Sequence, residues 1–517
     1  MTNRPSGVRL WLIAFIGFTL LHAAWAFAAP YDGPPDEEMH ALRAAGVYNG
    51  SVIADETRSQ TVPSSLDTNN AVENGVLVHR VCFPMKVNVP ASCAEEPGGD
   101  QTLVDRYVTQ ARFNPVYYFA IGWPLKIWPE WRGIVGARLM NGALMAAMLA
   151  CAVVAAVRWS RHRALLAGIV VAVTPMTAHL GGSINPNGLE ITAGLCLAVS
   201  LIALLHERKD AEEVNRAAVA LAAVSATVIV MPRFSGVLWL FVIGAAMLLP
   251  AKWQRVKTLV RARSVRIGLV AVALAGIASL AWTYFAKTAS ILGPDRNYPV
   301  KEVVKFALQD MWPNVVNQMI GVMGWAETLQ PRLIYPVWFA AFGALVIGAL
   351  IVGTRVDRWR VVLLFLGTFV PLLGAELFFL DQIGWFSQGR YFLPGAITIP
   401  VLAAHVLAKN ALTAEHFRSA TRIFALLLLP IHLVCVPWTM IRWQSGFAIM
   451  NPFKGSWVPP YGHVVPLASA LLGVLVLGVM YWWASRLPSV PAVADEGPEQ
   501  PESTETVEKV PVTSGTA

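Results

Sequence analysis

Long apolar runs separated by short polar stretches occupy most of the 517-residue sequence. Each run has roughly 16–25 residues, which is enough or nearly enough for a helix to cross the ~30 Å hydrocarbon core of a bilayer. The runs do not alternate between apolar and polar positions as barrel strands do, and backbone groups in lipid must bond within their own segment. The pattern therefore predicts an all-α, polytopic integral membrane helical bundle with about twelve transmembrane helices.

Breaks in this pattern divide the chain into four segments. Residues 1–29 are predicted to form a cytoplasmic N-terminus and the first transmembrane helix, and residues 30–130 a polar extracytoplasmic loop. Residues 131–485 are predicted to form the transmembrane bundle, and residues 486–517 a disordered cytoplasmic tail. The first run ends in Ala26-Phe27-Ala28. This end also resembles a signal-peptide cleavage site, so a cleaved leader is the alternative for the first run.

Shorter helices are expected between the crossings. Residues 38–50 place Met39, Leu42, Ala45 and Val47 near one face, which predicts an amphipathic helix. Residues 114–129 and 300–319 predict interfacial helices, the first with an aromatic belt. Residues 164–180 are read as a single crossing, and residues 217–231 and 234–249 as a short hairpin of two crossings.

Composition and charge agree with a membrane protein. The chain is 56% hydrophobic and 14% charged, whereas soluble domains are about one quarter charged. The net charge of +8 comes from basic residues in short loops between apolar runs. This placement favours the positive-inside rule over nucleic-acid binding, and it predicts a plasma-membrane protein with both termini in the cytoplasm. Cys82 and Cys93 share one polar loop, and their sequence leaves open whether they form a disulfide.

The polar residues with candidate chemistry fall on the predicted extracytoplasmic side. Asp36 and Glu37 follow the first helix closely, where a partly desolvated carboxylate is suited to act as a general base. His40 and Arg43 follow on the same short helix and are candidate substrate ligands. The alternative is that the acids complement the dipole of a helix that begins after two prolines.

Two further groups of residues are candidates for substrate binding. Arg390 opens a helix beside Tyr391, and Asp381 lies in the loop before it; an arginine at this position suits a lipid phosphate, with interfacial snorkelling as the alternative. Arg233 and Arg138 suggest the same role, although Arg138 lies in an apolar run and is also expected to pair with Glu190 or Glu376. Asn185, Asn187 and Glu190 form the second group, at the start of another helix, where dipole complementation is again the alternative.

Six stretches together resemble a bacterial family of polytopic membrane proteins, DUF2142. They are Pro34 to Arg43, Asn114-Pro115-Val116-Tyr117-Tyr118, Ala137-Arg138-Leu139, Asn185-Pro186-Asn187-Gly188, Gly321 to Trp325 and Gln388 to Pro394. That family in turn resembles the GT-C superfamily of glycosyltransferases, which use polyprenyl-phosphate sugars. The resemblance implies that Asp36 is the catalytic base, with Glu37 assisting, and that Arg390 binds the donor phosphate. A run of three acids stands where the superfamily has a pair, so the resemblance does not decide which carboxylate acts.

The resemblance implies a membrane enzyme that transfers a sugar to a cell-envelope glycan or lipid acceptor. Its expected partners are the lipid bilayer, a polyprenyl-phosphate-linked sugar donor and that acceptor, with no nucleic acid. No cofactor is assigned with certainty; neighbouring carboxylates would suit a divalent cation such as Mg²⁺ or Mn²⁺. The alternative is a transporter or flippase of lipid-linked intermediates, for which inverted repeats and broken mid-membrane helices would be typical.

Overall fold

The computed structural model describes residues 7–54, 57–68, 70–73, 76–79, 82–207, 214–248, 253–288 and 297–487. Within these ranges the protein is a helical bundle, which confirms the predicted all-α membrane architecture. The predicted disordered tail lies outside the described residues from position 488 onward.

The first part of the chain builds one long helix, a segment of short elements and a second long helix. Its helices are α1 (Gly7–Ala28), α2 (Glu37–Tyr48), α3 (Pro115–Ile121), α4 (Trp123–Ile127) and α5 (Trp131–Trp159). The helix expected over residues 38–50 is therefore present, while the helix expected over residues 114–129 is two short helices. We call the end of the bundle at which residues 30–130 lie the loop end.

The remaining helices run to residue 484. They are α6 (Leu165–Ala172), α7 (Pro175–Gly181), α8 (Pro186–Leu205), α9 (Arg216–Val230), α10 (Ser235–Leu248), α11 (Trp253–Arg261), α12 (Arg263–Phe285), α13 (Val300–Phe306), α14 (Trp312–Gly321), α15 (Ile334–Val352), α16 (Arg355–Ile383), α17 (Gly389–Ala396), α18 (Thr398–Asn410), α19 (Ala414–Ser445) and α20 (Val464–Ala484).

Three small antiparallel ribbons complete the described structure. The strands are β1 (Ser59–Pro63), β2 (Asn70–Glu73), β3 (Val76–His79), β4 (Leu103–Tyr107), β5 (Val322–Met323) and β6 (Thr328–Leu329). They pair as β1 with β4, β2 with β3 and β5 with β6, and Val322 lies opposite Leu329 in the last pair. A disulfide joins Cys82 to Cys93 between β3 and β4. The ribbons were not predicted, because their strands are too short to show a period.

The predicted number of about twelve crossings is not confirmed. In the described ranges nine helical stretches are long and apolar enough to cross a membrane: α1, α5, α8, α12, α15, α16, α17 with α18, α19 and α20. The helices α9 and α10 have 15 and 14 residues, which is short of the ~20 that a span needs.

The run predicted to cross as one helix over residues 164–180 is broken. Its two parts, α6 and α7, are bent by 72° relative to each other. Pro175 opens α7 and restricts Thr174 to an extended conformation (φ −71°, ψ 161°). The Thr174 hydroxyl then accepts a hydrogen bond from the amide of Thr177 at 3.2 Å, which starts the new helix. Val171, Ala172 and Thr174 at this break line a cavity between the helices.

Helix packing places α8, α17 and α18 in the centre of the bundle, where they are almost wholly buried, and α12 at its edge. The first helix packs against α5 and α20. The α17 helix begins at the loop end and contacts α8, α14 and α16. Residues at its start are therefore held next to α2 and to the turn between α7 and α8.

Candidate functional site

Asp36 and Arg390 form an ion pair at the loop end, with 2.5 Å between Oδ2 and Nη2. Asp36 caps the N-terminus of α2 with a left-handed backbone (φ 61°), which costs a non-glycine residue roughly 1–2 kcal/mol. Neighbours hold this conformation: the side-chain amide of Asn185 donates to the carbonyl of Pro35 at 3.1 Å, and the amide of His40 donates to the carbonyl of Asp36 at 3.1 Å. The Asp36 side chain is 26% exposed and that of Arg390 is 4% exposed.

Glu37 points away from this pair and into the protein. Its carboxylate accepts two hydrogen bonds from Arg138, from Nε at 2.8 Å and from Nη2 at 2.5 Å, and a third from the amide of Ile184 at 3.0 Å. Both charged side chains are fully buried. Arg138 also donates to the carbonyls of Ala26 and Ala29. The prediction that Arg138 pairs with Glu190 or Glu376 is wrong, because the guanidinium of Arg138 is paired with Glu37.

Glu38 is also buried and occupied. Its Oε1 accepts hydrogen bonds from the amide and the hydroxyl of Thr68, at 3.1 and 3.5 Å. Of the three adjacent acids, Asp36 alone keeps a partly exposed carboxylate. Asp36 is therefore the acid whose position allows contact with a substrate.

His40 lies one helical turn after Asp36 on α2 and is buried. Its Nδ1 is 2.8 Å from the hydroxyl of Tyr118. Burial lowers the pKa of His40 to about 3; the charge of Asp36 opposes this shift, and those of Arg233 and Arg390 add to it. This residue contributes a neutral hydrogen-bonding group near the ion pair.

Arg43 does not face the site. Its guanidinium donates to the carbonyls of Ser51, Val52 and Phe113 and to the side chain of Gln60, at distances between 2.7 and 3.0 Å. Arg43 is fully buried. The contacts describe a residue that fixes the chain around α2, and they lend no support to its predicted role as a substrate ligand.

Tyr391 lies within cation–π distance of two arginines. The guanidinium carbon is 4.9 Å from the ring centroid in Arg390 and 5.1 Å in Arg233. Arg233 comes from the break between α9 and α10, and its Nη1 lies 3.8 Å from Oε2 of Glu190. The turn that holds Arg233 is thus brought next to the start of α17. The sequence signal for Arg233 is its place beside Pro232 between two apolar runs.

Glu190 is the carboxylate that pairs with Arg233. Its carboxylate accepts hydrogen bonds from the hydroxyl of Ser235 at 3.0 Å and from the side-chain amide of Asn187 at 3.3 Å. Asn185 caps the same helix by accepting from the amide of Asn187 at 3.0 Å. Asn185 is thus bonded to Pro35 next to Asp36, and Glu190 is linked through Arg233 to Tyr391 beside Arg390.

Asp381 is not joined to this cluster by any described hydrogen bond or ion pair. Its carboxylate accepts from the amide of Tyr298 at 2.9 Å. Glu376, on the same helix, has a closer relation to the site: it accepts from the amides of Phe386 and Ser387, each at 2.8 Å. These bonds shape the loop that leads to Arg390. Sequence reasoning did not identify that role of Glu376, because it depends on a turn in the backbone.

A small pocket beside Arg390, with a volume of about 10 Å³, lies near a larger apolar cavity. The pocket is lined by Pro35, Met176, Gln318, Val322, Gly324, Ala326, Gln388 and Arg390. The cavity has a volume of about 420 Å³ and is lined mainly by aromatic and aliphatic side chains of α6, α14, α15, α16, α17 and α18. Both α14 and α17 line both spaces: Gln318 and Arg390 face the pocket, and Val316 and Leu393 face the cavity. Three residues of helix rise about 4.5 Å, so a charged group and an apolar chain can be bound in succession along α17.

A metal ion does not fit the carboxylates as they are placed. Among the described residues no three His, Cys, Asp or Glu side chains are grouped closely enough to hold one. Asp36 and Glu37 are each paired with an arginine. The divalent cation stays a prediction from the sequence.

Comparisons with known proteins identify the family. A family model described as a predicted membrane protein, DUF2142, matches residues 18–399 of the 517. The chain belongs to the DUF2142 family. This confirms the resemblance drawn from the six stretches, and no curated protein matches the sequence.

The structural comparison finds two crystal structures of ArnT from Cupriavidus metallidurans, one bound to undecaprenyl phosphate and one in the apo state. The DUF2142 protein is 12% and 13% identical to them, with a TM-score of 0.41 in each case. In each comparison the match covers 93% of this chain and 77% of the ArnT chain.

Proposed function

We propose that this protein is a membrane glycosyltransferase that moves a sugar from a polyprenyl-phosphate donor to a cell-envelope glycan or lipid acceptor on the extracytoplasmic face. The observation that carries the proposal is the Asp36–Arg390 pair beside an apolar cavity between helices. Arg390 lies at the start of α17 and pairs with Asp36 at the start of α2, while Leu393 and Ala396 of α17 line the cavity. The plasma membrane and cytoplasmic termini belong to the same proposal.

Arg390 is suited to hold the donor phosphate. A guanidinium stays charged at a low-dielectric boundary and can bind two phosphate oxygens at once. The Nε of Arg390 is buried and has no partner among the described residues, so the side chain keeps an unused donor. Arg233 is the second arginine that contacts the ring of Tyr391, and it adds positive charge to the same region.

The cavity supports a lipid-linked donor over a soluble one. Its lining includes Trp312, Trp338, Phe339, Phe342, Phe365 and Phe369. A prenyl chain could pass from the bilayer into this space and keep its methyl and methylene groups in apolar surroundings. A nucleotide sugar has no part that would benefit from such a surface.

The chemistry follows from the competition for Arg390. A donor phosphate that binds Arg390 would loosen its pairing with Asp36, and the freed carboxylate could take the proton of an acceptor hydroxyl. The acceptor oxygen then attacks the anomeric carbon, the bond from that carbon to the phosphate oxygen breaks, and polyprenyl phosphate leaves with the electron pair. Arg390 stabilises the negative charge that develops on the leaving phosphate. Attack on the face opposite the leaving group inverts the sugar.

The deciding experiment measures binding of a polyprenyl phosphate to the purified full chain and glycan composition in a deletion strain. Arg390→Gln is expected to weaken binding by about tenfold or more and to reproduce the glycan change of the deletion. Arg132→Gln is the matched control, because Arg132 also lies at the loop end but its side chain is 73% exposed. Equal binding by both variants together with normal glycans would refute the assignment.

One observation favours the second candidate, a transporter or flippase of lipid-linked intermediates. The broken pair α6 and α7 lines the cavity through Val171, Ala172 and Thr174, and broken helices are typical of transporter binding sites. Proteoliposomes decide between the two. Movement of a labelled polyprenyl-phosphate sugar between leaflets without any transfer of sugar would favour the flippase.

A further inference from the structure

The β5–β6 hairpin (322–329) forms one wall of the pocket at Arg390. Val322, Gly324 and Ala326 line that pocket. At the tip of the hairpin, Nε1 of Trp325 donates to the carbonyl of Asp32 at 2.9 Å. The hairpin therefore contacts the segment that leads into Asp36 and faces the guanidinium proposed to bind phosphate.

The hairpin has only two residues in each strand, so other contacts must keep it in place. One is an ion pair between Oε1 of Glu327 and Nε of Arg442, 3.1 Å apart. Arg442 is fully buried near the end of α19, and the Glu327 side chain is 10% exposed. Breaking a pair of this kind leaves an uncompensated buried charge, which is strongly unfavourable.

The rest of the Arg442 guanidinium is bound by the loop that the disulfide closes. Nη2 donates to the carbonyls of Phe83 at 2.8 Å and Lys86 at 3.1 Å, and Nη1 donates to the carbonyl of Val89 at 3.1 Å. All three carbonyls lie between Cys82 and Cys93. Three oxygens can converge on one guanidinium only while this loop keeps its shape.

We propose that the Cys82–Cys93 disulfide positions the β5–β6 hairpin through Arg442 and Glu327, and thereby sets how tightly the Arg390 pocket binds its phosphate ligand. Arg442 and Glu327 are positioning residues: Glu327 belongs to the hairpin and Arg442 holds it, and neither residue lines the pocket. The part that concerns phosphate rests on the proposed function. The part that concerns the hairpin does not.

Reduction tests the first link. A dithiol such as dithiothreitol passes two electrons and two protons to the disulfide, leaving two thiols and itself becoming a cyclic disulfide. The remaining described cysteines, Cys151, Cys196 and Cys435, are free thiols, so reduction changes this bond and no other among them. Hydrogen exchange of a peptide covering residues 322–329 then reports how firmly the hairpin is held.

We expect exchange in this peptide to be about tenfold faster after reduction, in the double variant Cys82→Ser/Cys93→Ser and in Arg442→Lys. The lysine variant keeps the charge but loses the fork of donors, so folding should survive. Arg422→Lys is the matched control, because Arg422 lies on the same helix and stacks on Trp482 at 4.2 Å, away from the loop. Unchanged exchange in the reduced protein would overturn the proposal.

Binding of a polyprenyl phosphate to the same samples tests the second link. Reduction and Arg442→Lys are expected to weaken it several-fold, with no effect of Arg422→Lys. Faster hairpin exchange with unchanged binding overturns the positioning role if Arg390→Gln weakens binding in the same assay. If Arg390→Gln also has no effect, the proposed function has failed instead, while the link between disulfide and hairpin stands on the exchange data.

Discussion

Arg390 binds Asp36 across 354 residues of sequence, with 2.5 Å between their charged groups. Asp36 immediately precedes α2, and Arg390 is the second residue of α17. The pair therefore joins the loop segment to the centre of the bundle. The charge of Asp36 is balanced by Arg390 until another anion binds Arg390. The two residues should therefore have different effects on ligand binding and on catalysis when each is replaced.

Replacing Asp36 by Asn should separate binding from catalysis. Asparagine tolerates a left-handed backbone, so the variant is expected to fold. Without the competing carboxylate, Arg390 should bind a polyprenyl phosphate more tightly, by up to about tenfold because the pair is partly exposed. Sugar transfer should fall by roughly 100-fold or more, as expected for loss of a general base. Weaker binding than in the unmodified protein would contradict this account.

The neighbouring substitution, Glu37→Gln, should act on stability instead. It leaves Arg138 buried without a counter-charge, which costs about 3–5 kcal/mol. We expect a marked drop in the thermal midpoint of the purified protein, measured by tryptophan fluorescence in detergent. Asp36→Asn serves as the control, one residue away and at the same charge change. Similar midpoints for the two variants would mean that Glu37 is not a structural residue.

Filling the cavity should impair lipid binding without touching the charged site. Val316 lines the cavity from α14, and Val316→Trp would occupy part of its volume of about 420 Å³. Binding of a long-chain polyprenyl phosphate should weaken by about tenfold. Inhibition of that binding by a short-chain analogue should change little. Asn314→Trp, at an exposed position of the same helix, is the control, and equal loss with both ligands would argue against a chain-binding cavity.

His40 should contribute a pH-dependent part of the stability. Burial lowers its pKa to about 3, below the ordinary value of about 6.5, so the unfolded chain takes up the proton first as the pH falls. The contribution of His40 to the free energy of unfolding is therefore fully present above about pH 6.5, and it is lost as the pH falls toward 3.

The measurement is the thermal midpoint between about pH 8 and pH 4. His40→Gln removes the titrating group and can keep a hydrogen bond to Tyr118. We expect its midpoint to fall less steeply below about pH 6.5 than that of the unmodified protein. Parallel curves for His40→Gln and the unmodified protein would show that this histidine does not titrate as described.

Topology decides whether the site faces the envelope. Gln101 and Gln254 are exposed; the first belongs to the predicted extracytoplasmic loop and the second to the predicted cytoplasmic side. In a Cys151→Ser background, an impermeant maleimide should label Gln101→Cys in whole cells and label Gln254→Cys only after lysis. The opposite pattern would place Asp36 and Arg390 in the cytoplasm and rule out an extracytoplasmic reaction.

The sequence by itself determined the helical membrane architecture. Apolar runs of the length of a bilayer leave helices as the only way to satisfy the backbone, so the bundle follows from composition and period alone. A helix start close to Asn185 was predicted from the sequence, and α8 begins at Pro186 with Asn185 as its cap. These features are local, because each depends on residues within one turn or one span.

Tertiary structure alone decided which charges meet. Asp36, Glu37 and Glu38 are adjacent in sequence, yet successive residues of a helix start point about 100° apart. One of the three therefore reaches Arg390, one reaches Arg138 and one reaches Thr68. The same holds for Arg442, whose partners lie in a loop more than 350 residues away in sequence. Burial then gives each pair a different consequence, since Glu37 is held away from solvent against Arg138, whereas Asp36 keeps a partly exposed carboxylate.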